Sequence, residues 1–221
     1  MYADDTEAHF SHNDLALAQA KINNDLMNVD QWLSQNIMIA NVKKTKSLLI
    51  GSILVIKKAE TLCVRLIKET VEQVEQFDYL MLRVSNCLSW ESHITKLCQR
   101  THSRISLSNR ISLFLPKPVL LRIDKQTILP ILDYCSTVWH DCGSTLTRRV
   151  ELVQNRAMRF ILKVLRKTCT QEMRNELKLL TLLNRRFFRF VLIFKILNNL
   201  DCPEQLLGIF KFRRSVRCRE L

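Results

Sequence analysis

Glycine and proline are scarce in this chain, with 3 Gly and 4 Pro in 221 residues. So little punctuation favours long helices over a fold of many short strands joined by tight turns. The 8 cysteines contain no Cys-x-x-Cys pair. Cys135 and Cys142 are the closest two, and no histidine follows at finger spacing, so no zinc site is expected. No signal peptide is evident, which makes reduced, buried thiols and an intracellular chain (nuclear or cytoplasmic, not secreted) the expected state. The longest apolar stretch, Phe187 to Leu200, is interrupted by Arg189 and Lys195 and is too short and too charged to span a bilayer. A phosphate-cradling glycine loop is also missing, as is any arrangement suggesting a serine or cysteine nucleophile.

What is present divides by charge. Residues 1–80 hold 8 Lys and Arg against 11 Asp and Glu, a net of −3, and residues 81–221 hold 26 against 10, a net of +16. Together these make the formal +13 of the chain. A basic surface of that size suits a polyanion held through its phosphates better than it suits a surface merely kept soluble by its charge.

Helical periodicity is clear in several places. Asn13 or Asp14 can cap a helix whose apolar positions are Leu15, Ala18, Ile22, Leu26, Val29 and Leu33, ending near Asn36. Met38–Ala40 and Ser47–Ile50 read as short strands around a lysine-rich turn, and Leu62–Ile67 and Gln76–Val84 as a hairpin pair. Beyond Ser89, an apolar face of Ile94, Leu97, Cys98, Ile105 and Ile111 predicts a helix ringed by Lys96, Arg100, Arg104 and Arg110. Pro116 and Pro118 end it, a second helix starts near Val119, and Pro130 predicts a kink or break. Asp141 to Ser144 reads as a turn. A helix over 145–167 turns Leu146, Val150, Val153, Ala157, Phe160, Ile161 and Val164 inward. It also places Arg149, Arg156 and Lys163 seven residues apart on its outer face. That line can track phosphates or form a solvated face. A last helical pair spans about 171–180 and 182–200, with Phe187, Phe188 and Phe190 expected in the core, before a basic tail from Lys211 to Arg219.

The chain opens on Tyr2-Ala3-Asp4-Asp5-Thr6, where two adjacent carboxylates repel unless a cation lies between them. This segment resembles the Tyr-Ala-Asp-Asp turn of reverse transcriptases from LINE-type (non-LTR) retrotransposons. Further blocks resemble the same family in order. They are Asn41 to Lys46 with Ile50-Gly51-Ser52, Val74 to Leu80, and Leu88-Ser89-Trp90-Glu91-Ser92-His93-Ile94. Leu129 to Cys135 with Val138-Trp139, Gln154-Asn155-Arg156-Ala157 and Phe194 to Leu200 complete the set.

The resemblance implies an α+β, mostly α fold: the end of a right-hand polymerase palm over 1–85, a helical thumb and post-thumb region over 86–200, and a basic tail over 201–221. It implies RNA-directed DNA polymerase chemistry on two magnesium ions, with Asp4 and Asp5 as catalytic metal ligands. A third carboxylate, the fingers and the rest of the palm would lie upstream. The chain is therefore expected to be the C-terminal piece of a longer reading frame, inactive alone, with magnesium held only once the complete site is assembled. Tyr2 and Lys44 would face the primer-template and the leaving pyrophosphate. Lys96, Arg100, Arg149, Arg156 and Lys163 would meet RNA or DNA phosphates, with no membrane contact and an upstream reverse transcriptase segment as a possible partner. The alternatives are a helical interaction protein derived from such an element, without enzymatic activity, and a polymerase active only together with an upstream palm and fingers chain. The family carries Gly after Tyr79-Leu80, where this chain has Met81, so a distorted primer-grip hairpin is expected.

Overall fold

The computed structural model describes residues 6–58, 62–67 and 69–198. The chain divides into two units, with the boundary between His93 and Ile94. The fold is α-rich, and its strands are two to four residues long.

In the first unit, α1 (Leu15–Gln35) starts where the Asp14 carboxylate accepts the Ala16 N–H at 2.8 Å, satisfying an amide that the helix itself cannot. None of its residues is fully buried. Ile22 and Leu26 lie against a small core of Val64, Leu66 and Val71. The polar side of α1 does more of the holding. Gln19 accepts the Cys63 N–H at 2.9 Å, Asn23 accepts that of Arg65 at 2.9 Å, and Asn23 Nδ2 donates to the Cys63 carbonyl at 3.1 Å. Two amide side chains thus satisfy backbone that a sheet neighbour would otherwise pair.

The strands differ from the sequence expectation. Met38–Ala40 is not a strand, since Ile37 has φ +57° and Ile37 and Ile39 face solvent. Only β1 (Lys46–Ser47) forms in the second expected segment, parallel to β4 (Glu72–Gln73), with Lys46 paired to Glu72. Between β1 and β4 lies a short helix, α2 (Ile53–Lys58). Leu62–Ile67 and Gln76–Val84 do not pair with each other. Instead β2 (Arg65–Leu66) turns back on β3 (Glu69–Thr70), and β5 (Gln76–Tyr79) on β6 (Leu82–Ser85). The β5–β6 hairpin is regular, with Tyr79 opposite Leu82 across a two-residue turn. Leu80 and Met81 occupy that turn at φ +46° and +65°, the left-handed pair that a tight hairpin requires. The expected distortion is therefore absent from the pairing, and the strain sits in two non-glycine turn residues instead.

The second unit is helical. In α3 (Glu91–Ile111), which begins in the first unit, Ile94, Leu97, Cys98, Thr101 and Ile105 are buried at three- and four-residue steps. Ile111, expected on that face, is 46% exposed. Pro116 precedes α4 (Lys117–Ile123), and Pro118 sits in its first turn, where no amide is missed. A five-residue π-helical segment, Asp124–Ile128, then leads into α5 (Leu129–Asp133). This is the disturbance predicted from Pro130, whose ring cannot donate and crowds the preceding turn, so the helix widens before it.

Gly143, at φ +81°, precedes α6 (Ser144–Leu162), which buries Val150, Val153, Gln154, Ala157, Met158 and Ile161. The helix ends five residues short of the expected Lys167, because Lys163 adopts a left-handed conformation and Val164 N–H returns to the Arg159 carbonyl. The following helix, α7 (Thr170–Leu177), stops the same way, with Lys178 left-handed and Leu179 N–H on the Arg174 carbonyl. Each stop turns an apolar residue, Val164 or Leu179, onto one cluster containing Leu120, Met158, Ile161, Met173 and Leu177.

The final helix, α8 (Leu182–Leu197), reverses the expected sidedness. Phe187 and Phe188 are 62% and 59% exposed, and Phe190 is also exposed, so these rings are not core. The inward stripe contains Leu182, Arg186 and Ile196, flanked by Arg185 and Arg189. Arginines can face inward because partners wait there. Asp133 takes Arg185 at 2.9 Å and Arg189 at 3.1 Å, and Arg189 also donates to Ser136. Arg186 lies over the Trp139 ring.

Candidate nucleic-acid interface

Several of the blocks that carry the family resemblance have structural duties. Asn41 closes its turn by accepting from the Lys44 and Thr45 N–H groups and from the Thr45 hydroxyl, leaving Lys44 exposed. His93 is buried, accepts the Arg83 N–H at 3.3 Å and meets Trp90 edge-on at 6.1 Å. Asp133 and Trp139 receive the arginines of α8. Gln154 is buried and donates to the Leu180 carbonyl at 3.3 Å, and Ala157 fills core space beside it.

The expected line of cations on α6 is not uniform. Arg149 is half-buried and donates to Thr95 Oγ1 at 3.0 Å. One heptad on, Arg156 is exposed, with Nη1 3.3 Å from His102 Nδ1. Thr95 and His102 are themselves seven residues apart, so the two contacts follow α3 and α6 in the same direction. Burial first, and Arg156 second, hold the His102 imidazole below its usual pKa, so it is neutral and able to accept from the guanidinium. Lys163, the left-handed residue that ends α6, is also exposed. Lys96 is half-buried and Arg100 exposed, on α3.

Arg156 and Lys163 do come together, at the C-terminal ends of α3 and α6. With Arg159 they line a cleft of about 520 Å³ whose other walls include Ser106, Asn109 and Phe160. Among the described residues, no carboxylate lines it. Sequence reasoning missed Arg159 and assigned Phe160 wholly inward. The available signal was the i, i+3, i+7 spacing of Arg156, Arg159 and Lys163, which places three cations on one side of a helix. It also missed the Arg185, Arg186 and Arg189 set, because Phe187, Phe188 and Phe190 are the residues expected on the inward face.

Some acidic groups of this unit are engaged: Asp133 with two arginines and Glu176 with Lys117, while Asp124 is buried. Asp141 and Glu172 are exposed, and neither lines the cleft.

Tyr2, Asp4 and Asp5 lie outside the described residues, as does the basic tail. Among the described residues, no group of three or more His, Cys, Asp or Glu side chains is placed to hold a metal ion. Among them, too, no helix is long and apolar enough to cross a membrane. Comparison with protein-family models, with curated proteins and with solved structures returned no match.

Proposed function

We propose that this chain supplies the Tyr-Ala-Asp-Asp turn and the following helical region of a LINE-type reverse transcriptase, and that its second unit holds nucleic acid through phosphates. The observation that carries this reading is the convergence of Arg156, Arg159 and Lys163 on one cleft that no carboxylate among the described residues lines. Phosphate contacts dominate affinity and carry no sequence information, so binding is strong at low salt and tolerant of sequence. Magnesium and polymerase chemistry belong to this proposal through Asp4 and Asp5 alone.

Fluorescence anisotropy of the full chain with labelled RNA, DNA and RNA–DNA hybrids of two unrelated sequences tests it. Comparable binding of both sequences that weakens steeply with salt supports the reading. No binding at about 50 mM salt, where phosphate contacts are strongest, contradicts it.

A second reading, a non-enzymatic interaction protein derived from the element, is favoured by a different observation. The outer face of α8 presents Leu183, Phe187, Phe188 and Phe194 to solvent, and exposed apolar patches commonly meet another protein. Replacing these with polar residues would leave nucleic-acid binding unchanged under the first reading.

A further inference from the structure

The cleft between the ends of α3 and α6 is concave, and concavity is more than a duplex backbone requires. It is open to solvent on one side, and its volume of about 520 Å³ is room for one nucleotide. Helix C-termini carry only about half a negative charge each, so two neighbouring ends call for roughly one compensating cation. Three are present: Arg156, Arg159 and Lys163. The Arg159 Nε is buried without a hydrogen-bond partner, as are guanidinium atoms of Arg174, Arg185 and Arg186, so the three cations that line the cleft single it out rather than that atom. Phe160 is half-buried, packing on the Leu120–Met158 cluster while also lining the cleft. Ser106 and Asn109 supply exposed polar groups from the opposite helix.

From this arrangement we infer that the cleft is a single-strand site that seats one unpaired nucleotide. The three cations take its phosphate, Phe160 stacks against its base, and Ser106 and Asn109 meet the sugar or base edge. Stacking on an aromatic side chain is available to every base, so the site tolerates sequence but rejects duplex, whose bases are already stacked. The inference rests on the nucleic-acid reading above and narrows it from phosphates in general to an unpaired strand.

The test compares a labelled 12-mer single strand with the same sequence as a duplex, on the full chain. Phe160→Leu keeps an apolar side chain on the core and removes the stacking face. It should weaken single-strand binding about 5- to 150-fold, the range expected when one stack is removed, and leave duplex binding within about twofold. Asn109→Asp changes only an exposed position and introduces a carboxylate into the cleft. It should lower single-strand affinity at least about 5-fold with only a small fall in the thermal midpoint, since a carboxylate in the last turn of α3 meets only a modest repulsion from the helix dipole. If wild type binds both forms and neither variant separates them, the cleft is not a single-strand site, although the phosphate reading stands. If wild type binds neither form, the nucleic-acid reading itself has failed.

Discussion

The Arg186 guanidinium carbon lies 4.4 Å from the centre of the Trp139 ring, and both side chains are buried. Burial pushes the guanidinium down from its usual pKa, and Arg185 and Arg189 push the same way against Asp133. Such a charge persists inside because the ring face and the nearby carboxylate compensate for the water it gives up. Trp139→Ala is expected to destabilise the chain by about 3–5 kcal/mol. Chemical denaturation followed by circular dichroism measures this. Combining it with Arg186→Met should cost less than the sum, because the second change removes a cation that the first leaves stranded.

Asp124 gives the fold a pH dependence. It is 1% exposed, and burial raises its pKa from 3.8 to about 6, although Arg185 and Lys125 oppose the rise. A folded pKa above the unfolded one means the protonated acid is favoured by folding. That contribution is complete below pH 3.8 and is lost as pH rises through about 6. Asp124→Asn should therefore stabilise the protein at pH 7–8 by up to about 3 kcal/mol, with the gain shrinking as pH falls towards 4. Denaturation curves at pH 4, 6 and 8 decide it, and a gain independent of pH would rule out a titrating Asp124 as the cause.

The β5–β6 turn holds removable strain. Met81 is exposed and left-handed, a conformation that disfavours a residue with a Cβ by about 1–2 kcal/mol. Met81→Gly relieves this but adds chain entropy, leaving a net stabilisation of about 0.5–1 kcal/mol. Hydrogen exchange should slow at the paired amides of Gln76–Tyr79 and Leu82–Ser85. Unchanged or faster exchange would mean that the turn is not strained.

The two units should differ under proteolysis. Val64, Leu66 and Val71 form a small buried cluster against which Ile22 and Leu26 pack, and Lys43 and Lys44 are exposed in a turn. Limited trypsin digestion should cut at Lys43 or Lys44 before it cuts between Lys96 and Arg159. Early cleavage within α3 or α6 would reverse the assigned order of stability.

Much of the helical layout was legible because period and caps agree. Asp14 and the Ile22–Leu26 stripe located α1, and Pro116, Pro118 and Pro130 located the irregular passage through α4 and α5. The end of α6 was illegible, since lysine rather than glycine takes the left-handed position, and a non-glycine stop leaves no mark in the sequence. On α8 the rule that aromatics face inward yielded to specific partners. Asp133 and Trp139, some fifty residues earlier, draw Arg185, Arg186 and Arg189 in and leave Phe187 and Phe188 outside. Pairing of that range cannot be read from local pattern. Of the interface, the individual cations were visible in sequence, but the cleft that joins Arg156, Arg159 and Lys163 to Asn109 exists only once α3 and α6 come together.

The proposed nucleic-acid binding by the second unit rests on the exposed cations at the end of α6, Arg156 and Lys163. Its sharpest test is the dependence of log K on log salt for wild type and for Arg156→Ala/Lys163→Ala, using two unrelated sequences. Both substitutions fall on exposed side chains. The variant should bind both sequences more weakly, with a slope shallower by about 0.7–0.9 for each phosphate it no longer neutralises. Wild-type affinity and an unchanged slope in the variant would contradict phosphate binding at this end of α6.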